Sequence, residues 1–591
     1  MKMQLFLILG LSERLGQYWY GIIQPAKLFY LMTLIAGLSI LEGCMPAQER
    51  STPNIILIMS DDMGYSDIAC YGGEIKTPNL DKLASEGLRF TQFYNTGRCC
   101  PTRASLLTGL YPHQTGIGHM VDSWSPRYGE GYTGDLNRKS VTIAEVLKQK
   151  GYLNYIAGKW HIASDFAPDG PKHNWPLQRG FDRFYGTIFG ANSFWDPFTL
   201  TRGNTMISPY NDPEYRPEKY YYTDAISDNA VKFIDEHEST NPFFMFVSYT
   251  AAHWPMHAFE EDISKVKGRY DSGWDAIREE RLKKMKALGL VDDAWVMTPP
   301  DNIGWENEKN KQWMLARMEV YAAMTENMDR GIGRIISKLK DVGKLDNTII
   351  FFLQDNGGCA EEYSSVGPVT KVVTPDEAYV MADDELQTEM RPRFTRQGKP
   401  MTIGEGVMPG PPGTYVAYGQ EWANVSNTPF REYKHWVHEG GISTPLIVHW
   451  PENIEAKGEF RHQPGHIIDI MATCVDIANA DYPKEYMGNK ITPMEGLSLA
   501  PAFKNHPLNR EAIYWEHEMN RAIRKGQWKL VSKGNMEKHQ WGEWELYDME
   551  TDRTEMFNLA NKYSEIVEEL SGMWDEYAYR TKVYPSPWEE K

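Results

Sequence analysis

Two pairs of oxygen donors stand far apart in this chain, Asp61-Asp62 and Asp355-Asn356, and each directly follows an apolar run. A hard divalent cation takes such carboxylate and amide oxygens. Calcium tolerates irregular donor geometry better than magnesium, which demands a near-ideal octahedron. Taken singly, Asp-Asp and Asp-Asn-Gly-Gly are also ordinary turn sequences. Two further segments offer positive charge and proton transfer. Cys99-Cys100-Pro101-Thr102-Arg103 places paired thiols beside a guanidinium, and Gly158-Lys159-Trp160-His161 places an ammonium beside an imidazole. A lone Lys-x-His is usually surface decoration, but this one follows a strand-length apolar run and reads as part of a pocket. The chain has a formal net charge of −18, so an anionic substrate would need such Arg and Lys residues to make the site locally positive.

The elements that must position these residues are visible as apolar patterns. Residues 54–59 (Asn-Ile-Ile-Leu-Ile-Met) form a continuous apolar run of strand length, the kind buried on both faces of a parallel sheet. Segments 152–157, 242–247, 347–353 and 445–448 repeat that pattern, and helix-period segments 77–87, 141–150, 224–237 and 312–340 lie between them. Alternating strands and helices predict an α/β fold with a large, parallel or mixed sheet. The polar pairs follow strand C-termini, where ligands bind in open α/β sheets. Residues 357–430 are long, loop-rich and laden with Pro and Gly, which predicts an active-site insertion. Beyond residue 501 come short strands and a helix over 564–579, predicting a small antiparallel sheet with a packing helix. The expected organisation is a catalytic domain over 53–500 and a C-terminal subdomain over 501–591.

With 41% apolar and 24% charged residues, the 591-residue chain can bury one large core and a satellite. Its acidity argues against nucleic-acid binding. Six cysteines are too sparse for a disulfide scaffold. Lys27 precedes an apolar run over 28–38 of signal-peptide length, short for a membrane span, and Leu41-Glu42-Gly43-Cys44 follows. Leu at −3 and Gly at −1 resemble a bacterial lipoprotein box, with Glu42 unusual at −2. Residues 1–44 therefore read as a signal or lipoprotein leader with Cys44 as the lipidated residue, and 45–52 as a polar tether. The first 26 residues fit no simple signal. The expected location is exported, in the periplasm or on the surface of a bacterium, with no membrane contact beyond an N-terminal lipid or signal.

The segment Cys99-Cys100-Pro101-Thr102-Arg103-Ala104-Ser105-Leu106-Leu107-Thr108-Gly109 resembles the signature of sulfatases that convert one cysteine to Cα-formylglycine (3-oxoalanine). The resemblance extends from about residue 54 to the C-terminal Glu545-Leu546-Tyr547-Asp548 and is most like the bacterial arylsulfatase subgroup with a long insertion. It implies an alkaline-phosphatase-like sheet flanked by helices, with Cys99 as the modified residue. A calcium ion would be held by Asp61, Asp62, Asp355, Asn356 and the modified Cys99, and a maturation enzyme would make the formylglycine. Lys159 and His161 match the family's lysine and histidine pair, and His253, followed by Trp254-Pro255, matches the histidine after a central strand, with His257 a weaker candidate. Lys434, shortly before Glu439-Gly440-Gly441, matches the second sulfate-binding lysine.

On this resemblance, Arg103 and Lys159 hold the aldehyde hydrate, while Lys159, Lys434 and His253 contact the sulfate. His253 or Lys434 protonates the leaving alcohol. One hydrate oxygen attacks sulfur, and His161 deprotonates the other so that sulfate is expelled. The expected substrate is a sulfated carbohydrate of algal or host origin. The alternatives are small aryl or alkyl sulfates, a phosphonate monoester or phosphodiester, and, more distantly, an inactive lipoprotein that binds sulfated glycans. His517, Glu518 and Arg521 are candidate sugar contacts on the C-terminal sheet. Tyr415, Tyr418, Trp422, Tyr514 and Trp515 read first as core, with pocket roles as the alternative.

Overall fold

The structure is a computed structural model that describes residues 52–122, 125, 127–362 and 379–589. The leader, Cys44 and most of the tether lie outside the described residues, as does part of the insertion. In chain order, the strands of the main sheet are β1 Asn54–Ser60, β2 Leu88–Tyr94, β3 Leu153–Gly158, β4 Arg183–Thr187, β5 Leu200–Arg202, β6 Thr205–Met206, β7 Phe243–Ser248, β8 Thr348–Gln354, β9 Ser443–His449, β10 Glu459–Arg461 and β11 Gly465–His466. They form one eleven-stranded sheet in the order β10-β2-β9-β8-β1-β7-β3-β4-β5-β6, with β11 also paired to β2. The central strands β8, β1, β7 and β3 are parallel, and β9 runs antiparallel between β8 and β2.

The apolar run of β1 is buried along its whole length because both faces are covered. Ile55, Leu57 and Met59 face one apolar layer, which contains Leu106 and Leu107 of helix α2; Ile56 and Ile58 face the other. In chain order the principal helices are α1 Pro78–Ser85, α2 Cys99–Thr108, α3 Tyr222–Asp235, α4 Gly273–Leu288, α5 Lys311–Asp341 and α6 Ser564–Thr581. Helices α3 and α5 bring Ala225, Ile226, Tyr321 and Met328 to the second layer. Helix α2 is buried all round, so its sequence shows no polar face, and it stops at Gly109 in the left-handed conformation.

The continuous apolar runs located β1, β3, β7, β8 and β9 to within a few residues. It missed β2, whose Arg89 and Gln92 are only half-buried and interrupt the apolar pattern, and the short strands β4–β6. The insertion carries little regular structure among its described residues, chiefly the helix Gln420–Ser426. The C-terminal strands β12 Ile513–His517, β13 Asn520–Lys525, β14 Trp528–Ser532 and β15 Glu545–Asp548 form the expected antiparallel sheet, with α6 against it.

Two contacts tie this sheet and the β9 approach to the centre. Glu439 is fully buried, with Lys529 Nζ at 2.9 Å and Arg553 Nε at 2.8 Å, and Lys529 also reaches Glu555 at 2.7 Å. The loop after β8 crosses Glu439-Gly440-Gly441 backbone on backbone. Gly357 N donates to Gly441 O at 2.9 Å, and a Cβ on Gly357 would lie 1.8 Å from Gly440 O, so that crossing admits glycine alone.

Candidate active site

The sheet itself brings the donor pairs together. Ser60 of β1 and Gln354 of β8 are register partners, so Asp61-Asp62 and Asp355-Asn356 leave adjacent parallel strands at the same level. Lys159 and His161 follow β3, and His253 follows β7, the two strands next along. Asp62 and His161 have φ of 56° and 58°, a left-handed conformation uncommon for side-chain-bearing residues and enriched at functional sites.

Arg103, fully buried on α2, is the hub. Its Nη2 lies 2.9 Å from Asp355 Oδ2 and 3.4 Å from Asp61 Oδ2, and its Nη1 donates to Ser248 Oγ at 2.5 Å and Lys159 O at 3.2 Å. Lys159 Nζ meets Asp61 Oδ2 at 2.5 Å. Lys434 Nζ lies 2.9 Å from Asp62 Oδ1 and 3.4 Å from His253 Nε2, and His253 Nε2 lies 3.3 Å from Asp62 Oδ2. His253 Nδ1 sits 2.6 Å from Trp254 O, which fixes that nitrogen as the N–H donor and leaves Nε2 to face Lys434.

Burial would raise the Asp61 carboxyl, but Lys159, His253 and Arg103 outweigh it and hold it at about 2. Asp355 is pushed well up by burial and by the Asp61 charge beside it. Burial pulls His253 down, Asp62 notwithstanding. Burial opposes the charge on Lys159 and Lys434, yet Asp61 and Asp62 respectively keep their ammonium groups firmly protonated. The Cys99 thiol is held low first by its hydrogen bond with Cys100, against the effect of burial, and further by Lys159 and His161.

Asp61 Oδ1 and Asn356 Oδ1 are buried with no hydrogen-bond partner. Leaving such an oxygen unpaired costs roughly 1–3 kcal/mol each. Donor atoms of Asp61, Asp62 and His253 all lie within 4.8 Å of one another. Two orphaned oxygens among mutually repelling carboxylates fit a hard, oxygen-seeking divalent cation. The residues present therefore suit the expected metal. The Cys99 sulfur groups with Cys100 and His161 rather than with those carboxylates.

Cys99 opens α2 and lines a cavity of about 370 Å³ together with His161, His253 and Lys434. Met120, Phe189, Ala191, Trp254 and Met390 make its apolar wall, while Arg98, Asp122, Glu361, Glu362 and Arg391 add charge. Arg98, Asp122 and Glu361 were missed by sequence reasoning. Arg98 adjoins the cysteine motif and was legible by position alone, whereas Asp122 and Glu361 carry no motif. Asp122 Oδ1 stands 3.9 Å from His161 Nε2.

The candidate sugar contacts divide. His517 is wholly buried and lines neither the cavity nor the cleft beside it, while Glu518 is nearly buried and lines that neighbouring cleft, which shares Glu361 and Lys434 with the cavity. Arg521 lies elsewhere, its guanidinium 4.0 Å over the Trp544 ring and 5.3 Å over Trp574. The aromatic residues left open are core. Trp515 donates to Asn95 O, Trp422 donates to Met314 O, Tyr418 stacks on Tyr321, and Tyr415 is fully buried; Tyr514 is half-buried against Tyr577. His257 is likewise structural, buried with Nε2 2.7 Å from Thr414 O.

The family description "Sulfatase" matches residues 53–480, and "N-sulphoglucosamine sulphohydrolase, C-terminal" matches residues 431–578. An arylsulfatase of Klebsiella aerogenes is 32% identical over 78% of this chain and 94% of its own. An N-acetylglucosamine-6-O-sulfatase of Bacteroides thetaiotaomicron is 26% identical over 92% of this chain and 90% of its own. Among solved structures, Ps i-CgsB in complex with k-i-k-neocarrahexaose superposes with a TM-score of 0.61 at 22% identity, covering 92% of this chain and 95% of that one. The chain belongs to the sulfatase family, and it is a hydrolase of sulfate esters.

Proposed function

We propose that this sulfatase works through a formylglycine made from Cys99 and a calcium ion held by Asp61, Asp62, Asp355 and Asn356, and that its substrate is a sulfated carbohydrate. The observation that carries the reading is the shared cavity, in which Cys99, His161, His253 and Lys434 line one space beside the orphaned oxygens of Asp61 and Asn356. The aldehyde hydrate would supply an attacking oxygen and a second oxygen to expel sulfate, and the cation would neutralise sulfate charge.

This chain's own residues do the rest. Lys159 and Lys434 present fixed positive charge to the sulfate oxygens in a water-poor site, where it needs no reorganisation, and Arg103 with Lys159 holds the residue at position 99. The Lys434–His253 pair delivers a proton to the leaving alcohol. His161 receives a proton at Nε2 from the residue at position 99, with Asp122 across from it. Glucosamine and galactosamine sulfatases among the relatives support a sugar as the alcohol. The apolar wall of Met120, Phe189 and Trp254, with the arylsulfatase relative, favours small aryl sulfates as the second reading.

The test is desulfation of a panel of sulfated monosaccharides, algal and mucin oligosaccharides, nitrophenyl sulfate and a nitrophenyl phosphonate ester by purified protein, with intact-mass analysis of residue 99. Faster turnover of nitrophenyl sulfate than of every sugar would move the assignment to the second reading. Export with lipidation at Cys44 is part of the proposal, checked by fatty-acid labelling of wild type and Cys44→Ala in cells.

A further inference from the structure

Behind the cavity lies a second buried cluster that the sulfatase reaction does not use. His119 Nε2 is 2.9 Å from Glu518 Oε1, and His517 Nε2 is 3.5 Å from the same oxygen. The two imidazoles are stacked nearly parallel with ring centres 5.4 Å apart. Donor atoms of His119, His517 and Glu518 all lie within 4.8 Å of one another, and all three residues are buried. Neither ring nitrogen of His517 makes a hydrogen bond, although the side chain is fully enclosed. A neutral imidazole with an idle lone pair, facing a carboxylate and a second imidazole, is an unusual arrangement to maintain in a protein interior.

We infer that His119, His517 and Glu518 form a second metal site, selective for a transition ion such as Zn²⁺ and distinct from the all-oxygen calcium site. Two imidazoles and one carboxylate match zinc's preference for nitrogen with a single oxygen ligand, and the set is poor for calcium. Zinc would take the place of the proton that His119 Nε2 donates to Glu518, and that proton would pass to solvent.

The surrounding charges are not all favourable. Arg98 Nη1 stands 3.9 Å from Glu518 Oε1, but its Nη2 is also 3.6 Å from Glu361, which balances part of its charge. His435 Nδ1, 2.7 Å from Glu518 Oε2, would steady the ligating carboxylate from outside the metal. The turn that carries Glu518 is itself built on two successive left-handed residues, Glu518 at φ 52° and Met519 at φ 64°. A metal here would fasten that turn of the C-terminal sheet to the segment carrying His119, beside the residues that flank Cys99 and Lys434. The role is structural, and it stands whether or not the proposed substrate is right.

The experiment uses purified full-length protein, stripped with a chelator, returned to calcium, incubated with Zn²⁺ and passed through a desalting column before metal analysis. Wild type should retain about one zinc per chain. Cys99→Ala should retain the same amount, which separates this site from the nearby Cys99, Cys100 and His161 donors. His119→Gln combined with His517→Gln should lower retained zinc at least tenfold with calcium content unchanged. Absence of zinc from wild type, or undiminished zinc in the double variant, would overturn the assignment. If the double variant does not fold, an anomalous map at the zinc edge from wild-type crystals decides, since a peak away from these three side chains also refutes it.

Discussion

Two buried ionic clusters meet the chain next to the Gly357–Gly441 crossing, one at Asp355 and one at Glu439, and they are built to opposite specifications. In one, Glu439 is matched by Lys529 and Arg553, with Glu555 sharing the lysine. In the other, Asp61, Asp62 and Asp355 meet Arg103, Lys159 and Lys434, yet oxygens on Asp61 and Asn356 have no partner, and Asp62 is held in a left-handed conformation. The first cluster resembles a clamp and the second a socket. Composition alone would not separate them, since both bury carboxylates among cations; what separates them is that both oxygens of Glu439 are paired, whereas Asp61 Oδ1 and Asn356 Oδ1 are not. An unclosed, strained, buried cluster at strand C-termini marks where a ligand is expected.

Four substitutions or conditions would break or sharpen that contrast. Cys99→Ala should abolish turnover while leaving the fold and both ionic clusters intact; full activity with an unmodified cysteine mass at position 99 would remove the basis of the mechanism. Glu439→Ala leaves Lys529 and Arg553 buried without their common partner and should cost roughly 3–5 kcal/mol in urea unfolding. A loss below about 1 kcal/mol would show that the clamp holds nothing. Gly190→Ala would place a Cβ 2.2 Å from the His161 ring, so that ring must move, and kcat should fall about a hundredfold with the urea midpoint little changed.

The smallest effect is one of pH. Glu439 is opposed by burial but held at about 2 by Lys529 and Arg553, against an ordinary value of 4.5. A carboxyl lowered by folding contributes stability that is complete above about 4.5 and fades as pH falls towards about 2. Stability of Glu439→Gln should therefore change less than that of wild type over that interval, and parallel curves would contradict the pairing.

Much of the socket was legible because the sheet dictates it. Residues that follow buried parallel strands must converge at one edge, and Asp61, Lys159, His253 and Asp355 each follow such a run. Arg103 was legible from the resemblance of the Cys99–Arg103 segment to the sulfatase signature. The charged part of the cavity wall was not, because Asp122 and Glu361 reach the cavity from irregular segments whose paths no periodicity describes. His517 and Glu518 were read as candidate sugar contacts on the C-terminal sheet; the end of the β12–β13 hairpin that carries them is buried, which a polar pair does not announce in sequence. Arg521, three residues further on, is half-buried with its guanidinium over the Trp544 ring, so a residue that looks polar in sequence spends its charge on packing.

The cavity wall also has two origins. Most groups that handle sulfur stand on strand ends and α2, with Lys434 on the approach to β9, whereas Glu361, Glu362, Met390 and Arg391 come from the earlier part of the chain between β8 and β9. Among the described residues, the stretch from Glu361 to Arg391 contributes no strand to the main sheet, so exchanging it leaves the strand ends, α2 and Lys434 in place. A lineage built this way can shift its taste in alcohols by rewriting one excursion of the chain. The chemistry of desulfation stays put while its diet changes.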